Sequence, residues 1–194
     1  MYRITERDFY QRYEKVSVHE AGQYTPPVDL NIILTLICHF KPKHFVEFGV
    51  QEGITAKIIL DKCSSIEKYT GIDVPFGFET MMKVQQSEVP KSAGSLVSDD
   101  RFEALVLPKG TVELDVENLS ADMVFIDADH STKGVQRDTE LALQMTSGVI
   151  IWHDYNRAHV QRYVNRRPGA ISVLLSEKSP GVAFEILREP LPIL

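Results

Sequence analysis

The sequence predicts an α/β fold: an open, doubly wound, mostly parallel sheet of seven strands, with helices on both faces and an antiparallel C-terminal hairpin. Three observations carry that expectation. Short apolar runs alternate with helix-length amphipathic segments between His44 and Trp152, a pattern that calls for a parallel sheet covered on both sides. Three carboxylates, Asp73, Asp127 and Asp154, fall where successive strands should end. Near the end of the chain, two apolar stretches flank the turn-forming Lys178-Ser179-Pro180-Gly181.

The order along the chain supports each element. Residues 5–15 read as a short helix, with Thr5 and Asp8 spaced as a capping pair. Its aromatics Phe9, Tyr10 and Tyr13 suit packing on the domain, the alternatives being a cover over a cleft or a subunit contact. Thr25-Pro26-Pro27 then punctuates the chain, because proline suits a first helical turn. Residues 28–40 follow as a helix apolar at Leu30, Ile33, Leu34 and Ile37, and Lys41-Pro42 stops it. Strands are expected at 44–48, 69–73, 102–107, 123–127 and 149–152, and helices at 53–62 and 132–145. Residues 75–89 read as a loop and helix carrying Met81, Met82 and Val84, and 91–100 as a polar surface excursion. A helix at 157–166 leads to the hairpin of 170–175 and 182–187, although 170–176 also suits a helical turn.

Length and composition bound the rest. With 194 residues, 43% hydrophobic and 25% charged, the chain suits one globular domain: an N-terminal helical extension (1–25), a core (26–155), and a C-terminal helix and hairpin (156–194). A net charge of −6 argues against nucleic acid as the main partner, since phosphate neutralisation needs a basic face. Cys38 and Cys63 belong to no zinc-type or disulfide pattern, and the expected location is the cytoplasm. Charged residues occupy the start of the chain where a signal peptide needs its apolar run. The stretch 28–40, interrupted by Asp29, Asn31 and His39, is too short to span a bilayer, so no membrane partner is expected.

The ends of the strands are where chemistry is expected. In open α/β sheets ligands bind beyond the carboxyl ends of the strands. After the first core strand comes Glu47-Phe48-Gly49-Val50-Gln51-Glu52-Gly53, in which Gly49 permits a sharp turn and Gly53 a close helix start. Gln51 stands where a dinucleotide fingerprint has its middle glycine, which weakens any nicotinamide oxidoreductase reading. Asp73 lies twenty residues after Gly53, the interval at which a carboxylate can accept hydrogen bonds from a ribose. Farther on, Asp127, Asp129, His130, His153 and Asp154 come from adjacent strand ends, where they can converge on a reacting group or simply cap a helix and satisfy loop backbone.

The run His44-Phe45-Val46-Glu47-Phe48-Gly49-Val50-Gln51-Glu52-Gly53, followed by Gly71-Ile72-Asp73, resembles the first two motifs of class I S-adenosylmethionine-dependent methyltransferases, which share a Rossmann-like fold. Phe125-Ile126-Asp127-Ala128-Asp129-His130, Gly134, Arg137-Asp138 and the strand ending His153-Asp154-Tyr155 resemble one branch of that family, related to small-molecule and sugar O-methyltransferases. The resemblance spans residues 26–155 and, loosely, the hairpin. It implies that Glu47 and Gly49 line the methionine end of a cofactor site, that Asp73 holds the ribose hydroxyls, and that residues near Gly110 and Thr111 approach the adenine, with Gly53 and Asp127 also counted among the cofactor-binding residues.

Methyl transfer is an in-line displacement, so the protein must align an acceptor and, for a hydroxyl, help remove its proton. The expected catalytic residues are Asp127, His130 and His153, with an imidazole as base. By the same resemblance Asp127, His153 and Asp154 match a magnesium-binding triad. His153 departs from that oxygen-donor pattern and suits iron or manganese better, and a metal is not obligatory. Arg157, His159, Arg162, Arg166 and Arg167 form a basic stretch that reads either as a solvated face or as a clamp for an anionic acceptor. The expected partner is a small-molecule acceptor, in a cleft left open or completed by the other half of a homodimer. Competing readings are a metal-dependent oxygenase on the same scaffold and a non-catalytic nucleoside-binding or assembly module.

Overall fold

Apolar β-branched and aromatic residues make the interior strands, two of which stop where Gly49 and Asp127 follow. The computed structural model describes residues 1–22, 24–79, 89–176 and 179–187. Their strands are β1 (Tyr2–Arg3), β2 (His44–Phe48), β3 (Lys68–Asp73), β4 (Phe102–Val106), β5 (Met123–Ile126), β6 (Val149–Trp152), β7 (Ile171–Leu174) and β8 (Val182–Ile186). They form one sheet in the order β1-β7-β8-β6-β5-β2-β3-β4. Strands β2 to β6 pair in parallel, whereas β8 runs antiparallel to both β6 and β7, so the C-terminal hairpin is present.

The sheet has eight strands rather than the seven expected. The extra one, β1, is two residues long and pairs in parallel with β7, Tyr2 opposite Ser172 and Arg3 opposite Val173. Such a short exposed edge strand carries no periodic signal. It owes its place to backbone pairing supplied by the far end of the chain.

The helices are α1 (Glu6–Arg12), α2 (Pro27–Phe40), α3 (Ile54–Lys62), α4 (Thr132–Met145) and α5 (Ala158–Val164). Thr5 caps α1 by accepting from the Asp8 N–H at 3.1 Å. The helix is shorter than expected, because Tyr13 turns to an extended conformation and buries its ring beside Phe9 and Phe184. The N-terminal aromatics Phe9 and Tyr13 therefore pack on the domain.

Side chains of α1, α2 and α3 close one core against the sheet, around Phe9, Leu30, Ile33, Ile59 and Phe125. Those of α4 and α5 close a second core on the opposite face, around Val135, Leu141, Trp152 and Val160. Cys38 and Cys63 are free thiols whose sulfurs lie 3.8 Å apart. Among the described residues, no helix is long and apolar enough to cross a membrane. The expected helix with Met81, Met82 and Val84 lies outside the described residues.

Candidate active site

The carboxyl ends of β2, β3, β5 and β6 open into a cleft of about 500 Å³, lined among others by Gly49, Asp73, Thr111, Asp127, His130 and Arg157. A recess of about 20 Å³, bordered by Glu47 and Thr55, shares Gly49, Gln51 and Asp127 with that cleft.

The turn after β2 needs its first glycine. Gly49 has φ +86°, and a Cβ there would stand 2.4 Å from the Asp127 carbonyl oxygen and 2.8 Å from the Ala128 Cα. The β2 and β5 turns thus touch backbone to backbone, a contact that no other residue permits. Gln51 is also left-handed, with φ +53°, and its N–H donates to Asp73 Oδ2 at 2.7 Å. Asp73 Oδ1 accepts from the Val74 N–H at 2.7 Å, so both oxygens are oriented at the cleft's edge, and burial pushes the carboxyl above its ordinary range. Gly53, in contrast, does not reach the cleft. It starts α3 in a left-handed conformation and backs onto Val97 and Gly94.

Glu47 is only 2% exposed. Burial pushes its carboxyl up to about 8, while the Tyr69 hydroxyl, donating at 2.8 Å, pulls the other way and Asp127 and Asp73 add to the rise. At the opposite end, Gly110 and Thr111 occupy a 3-10 turn. The Thr111 hydroxyl donates to Asp138 Oδ1 at 2.8 Å, and burial pushes Asp138 up to about 7. Arg137 and Asp138 on α4, part of the motif run, also line the cleft, as does Lys109, which the sequence did not single out.

Between the β5 and β6 ends lies a network of acids and imidazoles. His153 is buried, its Nδ1 is 3.0 Å from Asp127 Oδ1, and its Nε2 is 3.0 Å from Asp29 Oδ2. Burial opposes charge on this ring, yet Asp127 and Asp29 outweigh burial and hold it up at about 10. His130 Nε2 sits 2.9 Å from Asp154 Oδ2 and 3.4 Å from Asp127 Oδ1, sealed from solvent and without hydrogen-bond alignment to either. The two carboxylates overcome burial and hold His130 at about 9. Asp127 in turn resists the upward push of burial and is held at about 2 by His153 and His130.

Asp154 adopts φ +54°, uncommon for a non-glycine residue, and also pairs with Arg157 Nε at 2.6 Å. Asp127, His153 and Asp154 each offer one ligand atom, all within 4.8 Å of one another. Capping of α4 does not use the network. Ser131 Oγ accepts from the Gly134 N–H at 2.9 Å, and Asp129 Oδ1 from the Ser131 N–H at 2.7 Å, so Asp129 is a turn former. Of the basic stretch only Arg157 lines the cleft. His159 meets Thr132, Arg167 pairs with Glu185, and Arg162 and Arg166 are exposed.

Asp29 is the residue that sequence reasoning missed. It sits in the first turn of α2, fully buried, and had registered only as a polar break in an apolar run. Nothing local marks it, because its partner lies 124 residues away.

This sheet order, with its reversed last strand and a cleft where the strand order reverses between β5 and β2, defines a Rossmann-like α/β fold of the methyltransferase type. The methyltransferase domain family profile matches residues 46–155, and the chain belongs to that family. Among solved structures, a protein proposed to be a caffeoyl-CoA O-methyltransferase from Staphylococcus aureus superposes with a TM-score of 0.60 at 17% identity, covering 93% of this chain and 89% of that one. An O-methyltransferase from Bacillus cereus in complex with S-adenosylhomocysteine gives 0.57 at 16% identity, covering 87% and 83%. TomG from Streptomyces achromogenes, an O-methyltransferase of tomaymycin synthesis in complex with S-adenosylmethionine, gives 0.57 at 14% identity, covering 82% and 79%. A search of curated proteins finds no match.

Proposed function

We propose that the chain transfers a methyl group from S-adenosylmethionine to an oxygen of a small polar acceptor. The observation that carries this reading is the position of Asp127. It borders both the small recess with Glu47 and the larger cleft beside His130, so a cofactor and an acceptor can meet against it. In this reading Glu47 faces the ammonium of the methionine moiety, Asp73 accepts from the ribose hydroxyls, and Thr111 and Asp138 flank the base.

The acceptor oxygen attacks the sulfonium methyl carbon, the carbon–sulfur bond breaks with its electrons passing to sulfur, and His130, in the neutral form whose share grows as pH rises toward 9, takes the hydroxyl proton. Asp127 and Asp154 stabilise the imidazolium that results. His153, with no exposed side chain, cannot touch an acceptor, and it acts through Asp127. Asp127, His153 and Asp154 suit a divalent ion in donor type and spacing. When bound, such an ion supplies Lewis acidity toward the acceptor oxygen.

Calorimetric titration with S-adenosylhomocysteine tests the reading. Micromolar binding that Asp73→Ala abolishes is expected. Folded protein that binds no S-adenosylhomocysteine would sink the methyltransferase reading and advance the metal-dependent oxygenase.

A further inference from the structure

Cys38 and Cys63 take no part in the reaction described above. They are the two cysteines of the chain and stand 25 residues apart, a spacing that carries no pairing signal. The fold brings them together. Cys38 lies in the last turn of α2 and is half-buried, whereas Cys63 follows the last residue of α3 and is 1% exposed. Their sulfurs are 3.8 Å apart, close enough for one thiol to donate to the other. A disulfide needs about 2.05 Å, so the sulfurs must close by roughly 1.7 Å, a shift that rotation about a Cα–Cβ bond supplies.

The backbone at Cys63 is pinned. Arg101 donates to the carbonyl oxygens of Leu60, Cys63 and Ile66 at 2.8, 3.3 and 3.2 Å, which closes the end of α3 and sets a cation beside the buried sulfur. The hydrogen bond from Cys63 holds the Cys38 thiol below its ordinary range, with Lys41 assisting and burial opposing. The same bond, together with burial, pushes Cys63 up. The two sulfurs are therefore unequal: the one within reach of solvent ionises, and the shielded one behind it keeps its proton. An accessible, easily ionised thiol backed by a second cysteine is the kind that peroxides oxidise reversibly. Two cysteines that merely filled a core would both be sealed and inert.

We propose that Cys38 and Cys63 form a reversible oxidation site, at which a hydroperoxide converts the thiol pair to an internal disulfide that staples α2 to α3. The Cys38 thiolate attacks a peroxide oxygen, the O–O bond breaks, and Cys38 becomes a sulfenic acid while the departing hydroxide takes up the proton that Cys38 released. The Cys63 sulfur then attacks the Cys38 sulfur, the S–O bond breaks, and the oxygen leaves with the Cys63 proton as water. Two thiols together lose two electrons, and hydrogen peroxide gains them to give two waters. A dithiol reductant reverses the change by thiol–disulfide exchange. The closed loop contains β2 and the turn at Gly49, so the staple constrains the segment that carries Glu47. The chemistry needs neither cofactor nor turnover and can be read on the protein alone.

The experiment exposes reduced, desalted protein to a few equivalents of hydrogen peroxide, alkylates the remaining thiols with N-ethylmaleimide in urea, and reads the intact mass. The expected result is a monomeric chain about 2 Da lighter than the reduced form, with no alkylated thiol, which dithiothreitol returns to two alkylatable thiols. The melting temperature of the oxidised form should rise by roughly 5–15 °C, the gain expected from closing a 25-residue loop. Cys63→Ala should leave Cys38 as a sulfenic acid that dimedone traps, and Cys38→Ala should leave Cys63 reduced. The wild-type mass and melting temperature test the site even if neither variant folds.

Wild-type protein that keeps both thiols while glutathione in the same tube is oxidised, or that forms disulfides only between chains, would overturn the site. Oxidation of Cys63 in Cys38→Ala at the wild-type rate would refute the assignment of the attacking sulfur. A disulfide that forms within the chain but leaves the melting temperature unchanged would refute the staple.

Discussion

Glu47 offers a direct test of the cofactor geometry through pH. Its carboxyl is buried and lifted to about 8, so in the free protein at pH 7 only about one-tenth of molecules carry the charge that a ligand ammonium requires. Binding must therefore expel a proton. The dissociation constant of S-adenosylhomocysteine should fall about ninefold from pH 6 to 7 and about fivefold from pH 7 to 8, and level off above 8. Calorimetry at pH 7 in buffers of differing ionisation enthalpy should register nearly one proton released. Tyr69→Phe deprives the carboxylate of its hydroxyl donor, so the levelling point should move upward. Glu47→Gln should abolish both the pH dependence and the proton release. Affinity that is flat from pH 6 to 8 in the wild type, with no proton released, would refute the placement of the ammonium beside a buried acid.

Further outcomes follow from the same geometry. Gly49→Ala combines a left-handed backbone with a Cβ 2.4 Å from the Asp127 carbonyl, and should cost roughly 2–4 kcal/mol in urea denaturation and displace the cofactor turn. A loss below 0.5 kcal/mol on the order of a surface substitution would contradict the contact. His130→Ala should lower kcat about 10²- to 10⁴-fold while leaving S-adenosylhomocysteine affinity intact, and an unchanged kcat would remove His130 as the base. Asp138 is raised by burial from its ordinary value of 3.8 to about 7, so the stability it contributes is present at low pH and lost as pH rises through 7. Asp138→Asn should therefore gain a few kcal/mol relative to wild type between pH 4 and pH 8, measured by urea denaturation at both. No change in the difference would show that the group ionises freely.

Where local pattern and tertiary demand coincide, the chain was readable. The helix Thr132–Met145 and the strands His44–Phe48 and Val149–Trp152 lie at the expected bounds, because buried faces and flanking glycines or capping serines speak within a few residues of each other. The three strand-end aspartates do converge on one cleft, since a parallel sheet places all its carboxyl ends on one side. What escaped was contact between distant segments. Asp29 looks like a flaw in an apolar helix until His153 is brought against it, and Tyr2–Arg3 is no strand until Ile171–Leu174 arrives. The glycine at position 53 has the sequence signature of a ligand turn, yet only packing reveals that Val97 covers it. Burial of His153 was likewise invisible, because a histidine after a strand looks the same whether its ring faces solvent or a carboxylate.

The backbone contact between Gly49 and Asp127 gives the two halves of the cleft a common wall with no side chain to absorb a displacement. Under the proposed reaction, a ligand pressing on the β2 turn would move the same peptide that aims Asp127 at the imidazoles, so occupancy of one half would be felt as affinity in the other. By thermodynamic linkage the effect is reciprocal: whatever factor the methyl donor contributes to acceptor affinity, the acceptor returns to the donor. Spent and fresh cofactor, which differ by one methyl group and one charge, would on the proposed reading be distinguished by how tightly each lets the acceptor's half hold its occupant.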